Sequence, residues 1–134
     1  MASLKSLLDE LTRDEVFLSS VAHWEPIPKK EGRYTPLPEG LHPLLKKSLQ
    51  GRGIERLYTH QLTSFEQVEA GNHIVVVTPT ASGKTLCYNL PVLQKLLEDE
   101  SARALFLFPT KALSQDQQAE LHGIIQEGAL PVTV

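Results

Sequence analysis

Three features of the chain predict an α/β fold built on a parallel sheet. The β-branched run His73-Ile74-Val75-Val76-Val77 stops at Thr78-Pro79, passes through small residues and opens into a helical pattern at Lys84. Leu86, Leu90, Leu93 and Leu97 then recur at spacings of four, three and four, which is one face of a helix. Arg103-Ala104-Leu105-Phe106-Leu107-Phe108 is a second apolar run of strand length, continuous enough for a strand covered on both faces of a parallel sheet. Strand, helix and strand in that order make a βαβ unit, whose crossover is expected to be right-handed.

The remaining elements follow from spacing and punctuation. Leu4, Leu7, Leu8 and Leu11 lie at helical intervals, so residues 3 to about 19 predict an amphipathic helix that docks on its own protein. Between Glu25 and Pro38, four prolines (Pro26, Pro28, Pro36, Pro38) and Gly32 forbid a regular helix and argue for an extended connector. Trp24 and Tyr34 pin this connector to a surface, with stacking on bases as the other reading. His42 to Leu49 is a short helical pattern broken by Gly51 and Gly53. Leu57-Tyr58-Thr59-His60-Gln61 leads into a helix through Val68, with Gly71 in the position of a C-cap. Pro109-Thr110 ends the second strand, and Thr110 is placed to cap a helix lined by Leu113, Leu121, Ile124 and Ile125 as far as Gly128. Val132-Thr133-Val134 begins a third β-type run.

Composition narrows the function classes. The 134 residues, 41% hydrophobic and 22% charged, suffice for one small domain with a real core. No apolar run reaches the length of a membrane span, and Asp9 and Glu10 interrupt the N-terminal segment, so neither a membrane partner nor a signal peptide is expected. The one cysteine, Cys87, excludes an internal disulfide and fits a reducing cytoplasm. No Cys/His cluster points to a structural metal. A net charge of −3 gives no global electrostatic footprint for nucleic acid. Residues 29–56 are locally basic, with Lys29, Lys30, Arg33, Lys46, Lys47, Arg52 and Arg56 against Glu31, Glu39 and Glu55, a density usual for a solvated surface.

The junction at 78–85 carries the chemistry. Strand, tight loop and helix in that order is the setting of a phosphate-binding loop, whose backbone N–H groups and helix N-terminus present partial positive charge to phosphate oxygens. Lys84 is placed to reach the β and γ phosphates, and Thr85 to put its hydroxyl on a magnesium ion. Thr78 stands where the strict pattern has its first glycine, while Gly83-Lys84-Thr85 is intact and Ala81 and Ser82 keep the backbone accessible. A buried strand joined to a helix by a glycine turn is the bland alternative. One short helix earlier, the amide of Gln61 suits the N6 and N7 edge of adenine.

Thr78-Pro79-Thr80-Ala81-Ser82-Gly83-Lys84-Thr85 resembles motif I of the superfamily 2 helicases, the DEAD/DEAH-box group, in which the first glycine is commonly lost. Leu57–Gln61 is similar to the Q-motif region, and Pro109-Thr110-Lys111-Ala112-Leu113 to motif Ia. With Leu86-Cys87-Tyr88-Asn89-Leu90-Pro91, the likeness is greatest to the MrfA-type DNA repair helicases, bacterial proteins with a zinc-binding C-terminal region. It holds well from about Gly53 to Ile125.

This resemblance implies a RecA-like parallel sheet, ATP and Mg2+ as ligands, and single-stranded DNA on Pro109, Thr110 and Lys111, with RNA left open. It also implies an incomplete first helicase domain: residues 1–52 as an accessory segment, helical and then extended, and 53–134 as the first part of the ATP-binding domain, ending before motif II. Of the Asp-Glu pairs, Asp9-Glu10, Asp14-Glu15 and Asp99-Glu100, none follows an apolar strand as motif II does, so no catalytic carboxylate is assigned. The remainder of a helicase chain would then complete the site. The alternative is a nucleotide-holding module without helicase activity of its own.

Overall fold

The computed structural model describes residues 3–28, 31–79 and 82–134. It divides into two compact units, Met1–Glu31 and Gly32–Val134.

The first unit is helical. α1 (Leu4–Leu11) starts at Ser3, whose hydroxyl accepts from Ser6 N–H, and α2 (Glu15–Ser19) starts at Asp14, whose carboxylate accepts from the N–H groups of Val16 and Phe17. The single helix expected over 3–19 is therefore two. Asp14 satisfies two orphan N–H groups as a cap, and Thr12 turns its hydroxyl back onto the carbonyls of Leu8 and Asp9 at 3.0 and 3.2 Å, which closes α1. Leu4, Leu7 and Leu8 are exposed, and Phe17 meets Trp24 edge-on with ring centroids 6.1 Å apart.

The second unit holds the core. β1 (Tyr34–Pro36) pairs antiparallel with β2 (Arg56–Tyr58), placing Tyr34 opposite Tyr58 and Thr35 opposite Leu57. Four helices follow the chain: α3 (Pro43–Gly51), α4 (Thr59–Glu69), α5 (Lys84–Glu98) and α6 (Lys111–Gly128). α3 packs on α6 and α4 packs on α5. Leu45, Leu49, Leu57, Leu90, Leu93 and Ile124 are fully buried, and each such side chain contributes about 1.5–3 kcal/mol of burial. α3 thus belongs to the same core as α6, although the sequence reading placed it in the accessory segment.

Close approach decides the α3–α6 contact. A Cβ on Gly128 would lie 2.8 Å from Ser48 Cβ and 3.0 Å from the Leu44 carbonyl, so only glycine lets the helices meet there. Ser48 Oγ donates to the Ile124 carbonyl at 2.6 Å across the same contact. Gln94, buried on α5, makes a polar clamp: its Oε1 accepts from His42 N–H at 2.9 Å, and its Nε2 donates to the Gly40 carbonyl and Glu98.

The expected parallel pairing is not present among the described residues, where the one sheet is the two-stranded β1–β2 ribbon. Residues 73–79 and 103–108 do keep the two-residue alternation of strands. Val75 and Val77 are 90% and 88% exposed beside half-buried Ile74, Val76 and Thr78, and Leu105 and Leu107 are 84% exposed beside half-buried Phe106 and Phe108. Each run therefore has one covered face, not two, and neither carries a hydrogen-bonded ladder. Val132–Val134 is likewise unpaired.

Candidate phosphate-binding site

The loop between Thr78 and α5 is held from both ends. Gly83 takes φ +72° at the N-terminus of α5, a left-handed conformation that disfavours a side chain. Among the described residues no side chain caps this helix end, so the N–H groups of Lys84 and Thr85 keep their donor capacity, while Leu86 N–H turns back onto the Gly83 carbonyl at 3.3 Å. Lys84 Nζ donates to the carbonyls of Thr78 at 2.9 Å and Pro79 at 2.7 Å, and approaches Ser82 Oγ at 3.5 Å. The hydroxyls of Thr78 and Ser82 are 2.6 Å apart. Thr78, in place of a glycine, thus ties the loop to itself through its side chain. Of the sequence-predicted loop residues, Thr78, Pro79, Ser82, Gly83, Lys84 and Thr85 come together here, while Thr80 and Ala81 lie outside the described residues.

The first turn of α4 grips the loop from the side. Gln61 is 3% exposed; its Oε1 accepts from Tyr58 N–H at 2.8 Å and its Nε2 donates to the Gly83 carbonyl at 2.8 Å. One lone pair and one N–H of this amide remain, the complement an adenine edge needs. His60 Nε2 lies 2.9 Å from the Ser82 carbonyl. Beside Gln61 and Gly83 opens a cleft of about 460 Å3, walled by Tyr34, Tyr58, Arg56, Ile54 and Leu86. A larger cavity of about 520 Å3, between α5 and the 102–106 run, shares no residue with the loop.

On the other side, Thr85 donates its hydroxyl proton to Gln117 Oε1 on α6 at 3.2 Å, and Tyr88 donates to the same oxygen. The Thr85 oxygen thereby keeps its lone pairs for a cation. No group of three or more His, Cys, Asp or Glu side chains that could hold a metal alone occurs among the described residues, so this hydroxyl fits an ion that arrives with phosphates. Behind the loop, burial pushes the Cys87 thiol up, against a smaller opposing pull from Ser64 and Lys84. Cys87 is a packed hydrophobe rather than a nucleophile.

Pro109, Thr110 and Lys111 sit exposed at the start of α6. Thr110 caps it, its hydroxyl accepting from Leu113 N–H at 3.3 Å. Asp14 and Asp99, from the acidic pairs, serve local turns: Asp99 accepts from the N–H and hydroxyl of Ser101, which hold its carboxyl below the usual range. Sequence reasoning missed His60 and Gln117. The one signal for His60 was its place beside Gln61, and Gln117 carried none.

Relatives share this part of the chain. The uncharacterized ATP-dependent helicase YprA of Bacillus subtilis is 51% identical over 128 residues, covering 96% of this chain and 17% of its own length. The ATP-dependent helicase hrq1 of Schizosaccharomyces pombe is 36% identical over 126 residues, covering 92% of this chain and 12% of its own. The crystal structure of the DUF1998 helicase MrfA bound to DNA and AMPPNP matches with a TM-score of 0.81 at 50% identity, over 98% of this chain and 18% of that one. This chain thus spans less than a fifth of the length of these relatives. A family model described as DEAD/DEAH box helicase matches residues 58–134, taking in Gln61, the loop, α5 and α6, and the chain belongs to that family.

Proposed function

We propose that this chain is the ATP-gripping part of an ATP-dependent nucleic acid helicase acting on DNA. The observation that carries the reading is the uncapped N-terminus of α5, with Gly83, Lys84 and Thr85 gathered at it. The first-turn N–H groups and Lys84 hold the β and γ phosphates, and Lys84 exchanges its two carbonyl partners for phosphate oxygens. Thr85 supplies one oxygen to Mg2+, which when bound neutralises charge developing on the phosphates. Gln61 reads the adenine edge from the 460 Å3 cleft.

Residues 53–134 hold the first part of the ATP-binding domain, with 1–52 as an accessory segment whose last helix, α3, packs into that domain's core. The unpaired backbones of the two runs receive the remaining strands of a RecA-like parallel sheet, including the one that brings the motif II carboxylates, and further helices cover the bare faces at Val75, Val77, Leu105 and Leu107. The much greater length of the relatives supports a remainder of the chain in this role. Thr110, Lys111 and the start of α6 contact the backbone of single-stranded DNA, and Gln117 links that helix to Thr85. The DNA preference draws on the MrfA complex, and a repair role and a cytoplasmic setting follow the same likeness, the latter with the free thiol of Cys87. The second reading, a nucleotide-holding module without turnover, is favoured for these residues alone by the absence of a motif II carboxylate among them.

Calorimetric titration with Mg·ATP tests the proposal. Saturable binding is expected, weakened about 100-fold in Lys84→Ala, as loss of charge-assisted bonds to phosphate requires. Equal binding by the variant would refute it.

A further inference from the structure

The two carbonyls that end the loop, those of Ser82 and Gly83, are both taken by the first turn of α4. Gln61 takes Gly83, and His60 Nε2 takes Ser82 at 2.9 Å. A carbonyl only accepts, so Nε2 carries the hydrogen. In a planar trans peptide the C=O and the following N–H point in opposite directions. Holding the Ser82 carbonyl toward α4 therefore turns the Gly83 N–H away from α4, and the Gly83 carbonyl does the same for the Lys84 N–H. A loop without these two holds is free to flip a peptide and present a carbonyl in place of an N–H, and glycine at 83 makes that flip easy.

The His60 ring is itself fixed by a stack. It lies on Tyr58 at 5.5 Å with 15° between planes, Tyr58 lies on Tyr34 at 4.7 Å, and the Arg56 guanidinium sits 5.0 Å from the Tyr34 centroid. The β1–β2 register that opposes Tyr34 to Tyr58 builds this stack, and Tyr34 Oη donates to Tyr58 Oη at 3.2 Å. The ribbon, which the loop never touches through its own ladder, thus sets the angle of the ring that does.

We infer that His60 is a positioning residue for nucleotide binding: its Nε2–H holds the Ser82 carbonyl and thereby aims the Gly83 N–H at phosphate. The inference rests on the phosphate-loop reading proposed above. Its test is a fluorescent-ATP titration with Mg2+ on the full-length protein, comparing the parent with His60→Phe, His60→Gln and Lys84→Ala. Phe keeps the stack and loses the donor; Gln returns an N–H at a similar reach. His60→Phe is expected to weaken binding about ten-fold with an unchanged melting temperature, and His60→Gln to recover most of it. A purely structural His60 would lower the melting temperature and gain nothing from Gln. Parent-like affinity in His60→Phe, or no recovery in His60→Gln, overturns the inference while the loss in Lys84→Ala still stands. Undiminished binding in Lys84→Ala, or no binding by the parent, removes the underlying reading instead.

Discussion

Gln61 occupies the space that a side chain on residue 83 would need: a Cβ built on Gly83 lies 2.6 Å from Gln61 Nε2. Glycine at 83 is thus demanded twice, by its φ of +72° and by this approach. Gly83→Ala is expected to cost about 1–2 kcal/mol from the left-handed backbone alone, and to expel the Gln61 amide as well. Gln61→Ala leaves the Gly83 carbonyl and Tyr58 N–H without their side-chain partner, at about 1–3 kcal/mol. Because both changes break the same bond, urea unfolding of the double variant should show less than the sum of the two. Strict additivity would mean that the Gln61–Gly83 bond does not couple α4 to the loop.

Lys111 and Thr110 act through different physics and separate by salt. Lys111→Ala should lower the slope of log affinity against log salt for single-stranded DNA by about 0.7, the value for one phosphate no longer neutralised. Thr110→Ala removes the cap on Leu113 N–H and should cost about 1 kcal/mol of stability, which Thr110→Asn returns. An unchanged salt slope in Lys111→Ala would remove that side chain from the DNA surface.

Glu69, at the end of α4, has its carboxyl raised by burial and, less, by Glu98, with a small opposing pull from Lys95. Its folded pKa lies above the unfolded one, so the folded state binds the proton more tightly. The stabilising contribution is complete in acid, below the unfolded pKa, and is lost as pH rises through the folded value. Glu69→Gln should therefore stabilise the protein at neutral pH by a few tenths of a kcal/mol, since the group is largely solvated. That gain should vanish in melting curves taken below the usual carboxylate range.

Val75 and Val77 present bare apolar side chains on an unpaired strand edge, a ready template for another chain. These 134 residues alone are expected to be marginally stable and prone to aggregate. Replacing both valines with threonine should raise the soluble concentration in light scattering while the melting temperature moves by no more than a few degrees, because little buried surface is removed. A cooperative, high-melting monomer without the changes would contradict the expectation.

Helices were the legible part of the fold because their period is local. Leu86 to Leu97 and Leu113 to Ile125 mark α5 and α6, and Thr110 and Gly71 mark boundaries that the structure keeps. The break at Thr12–Asp14 escapes the pattern, since an apolar stripe continues across it while the cap acts on two N–H groups only. The β1–β2 ribbon was hidden by Pro36, which argues against a strand except at an edge, where this ribbon lies. At the site, Gly83-Lys84-Thr85 declared itself through its flanking strand pattern and helix. Gln61 is legible as an adenine contact but not as the residue that holds Gly83 across 22 residues, and Gln117, which reaches Thr85 across 32, leaves no pattern in one sequence.

The alternating exposure of Val75, Val77, Leu105 and Leu107 has a consequence for the order of assembly. The packing of α3 on α6 and of α4 on α5, together with the short β1–β2 ribbon, is in place while the 73–79 and 103–108 runs still have unpaired backbone edges. Parallel pairing has high contact order and is slow, whereas helix packing is fast. In the proposed RecA-like sheet, a layer of helices that sets first would hold the two runs as rails at a fixed separation, and a late strand would pair along their open backbone edges. Register is then dictated by the rails rather than searched for, and the slowest step of building such a sheet becomes an insertion into a prepared slot.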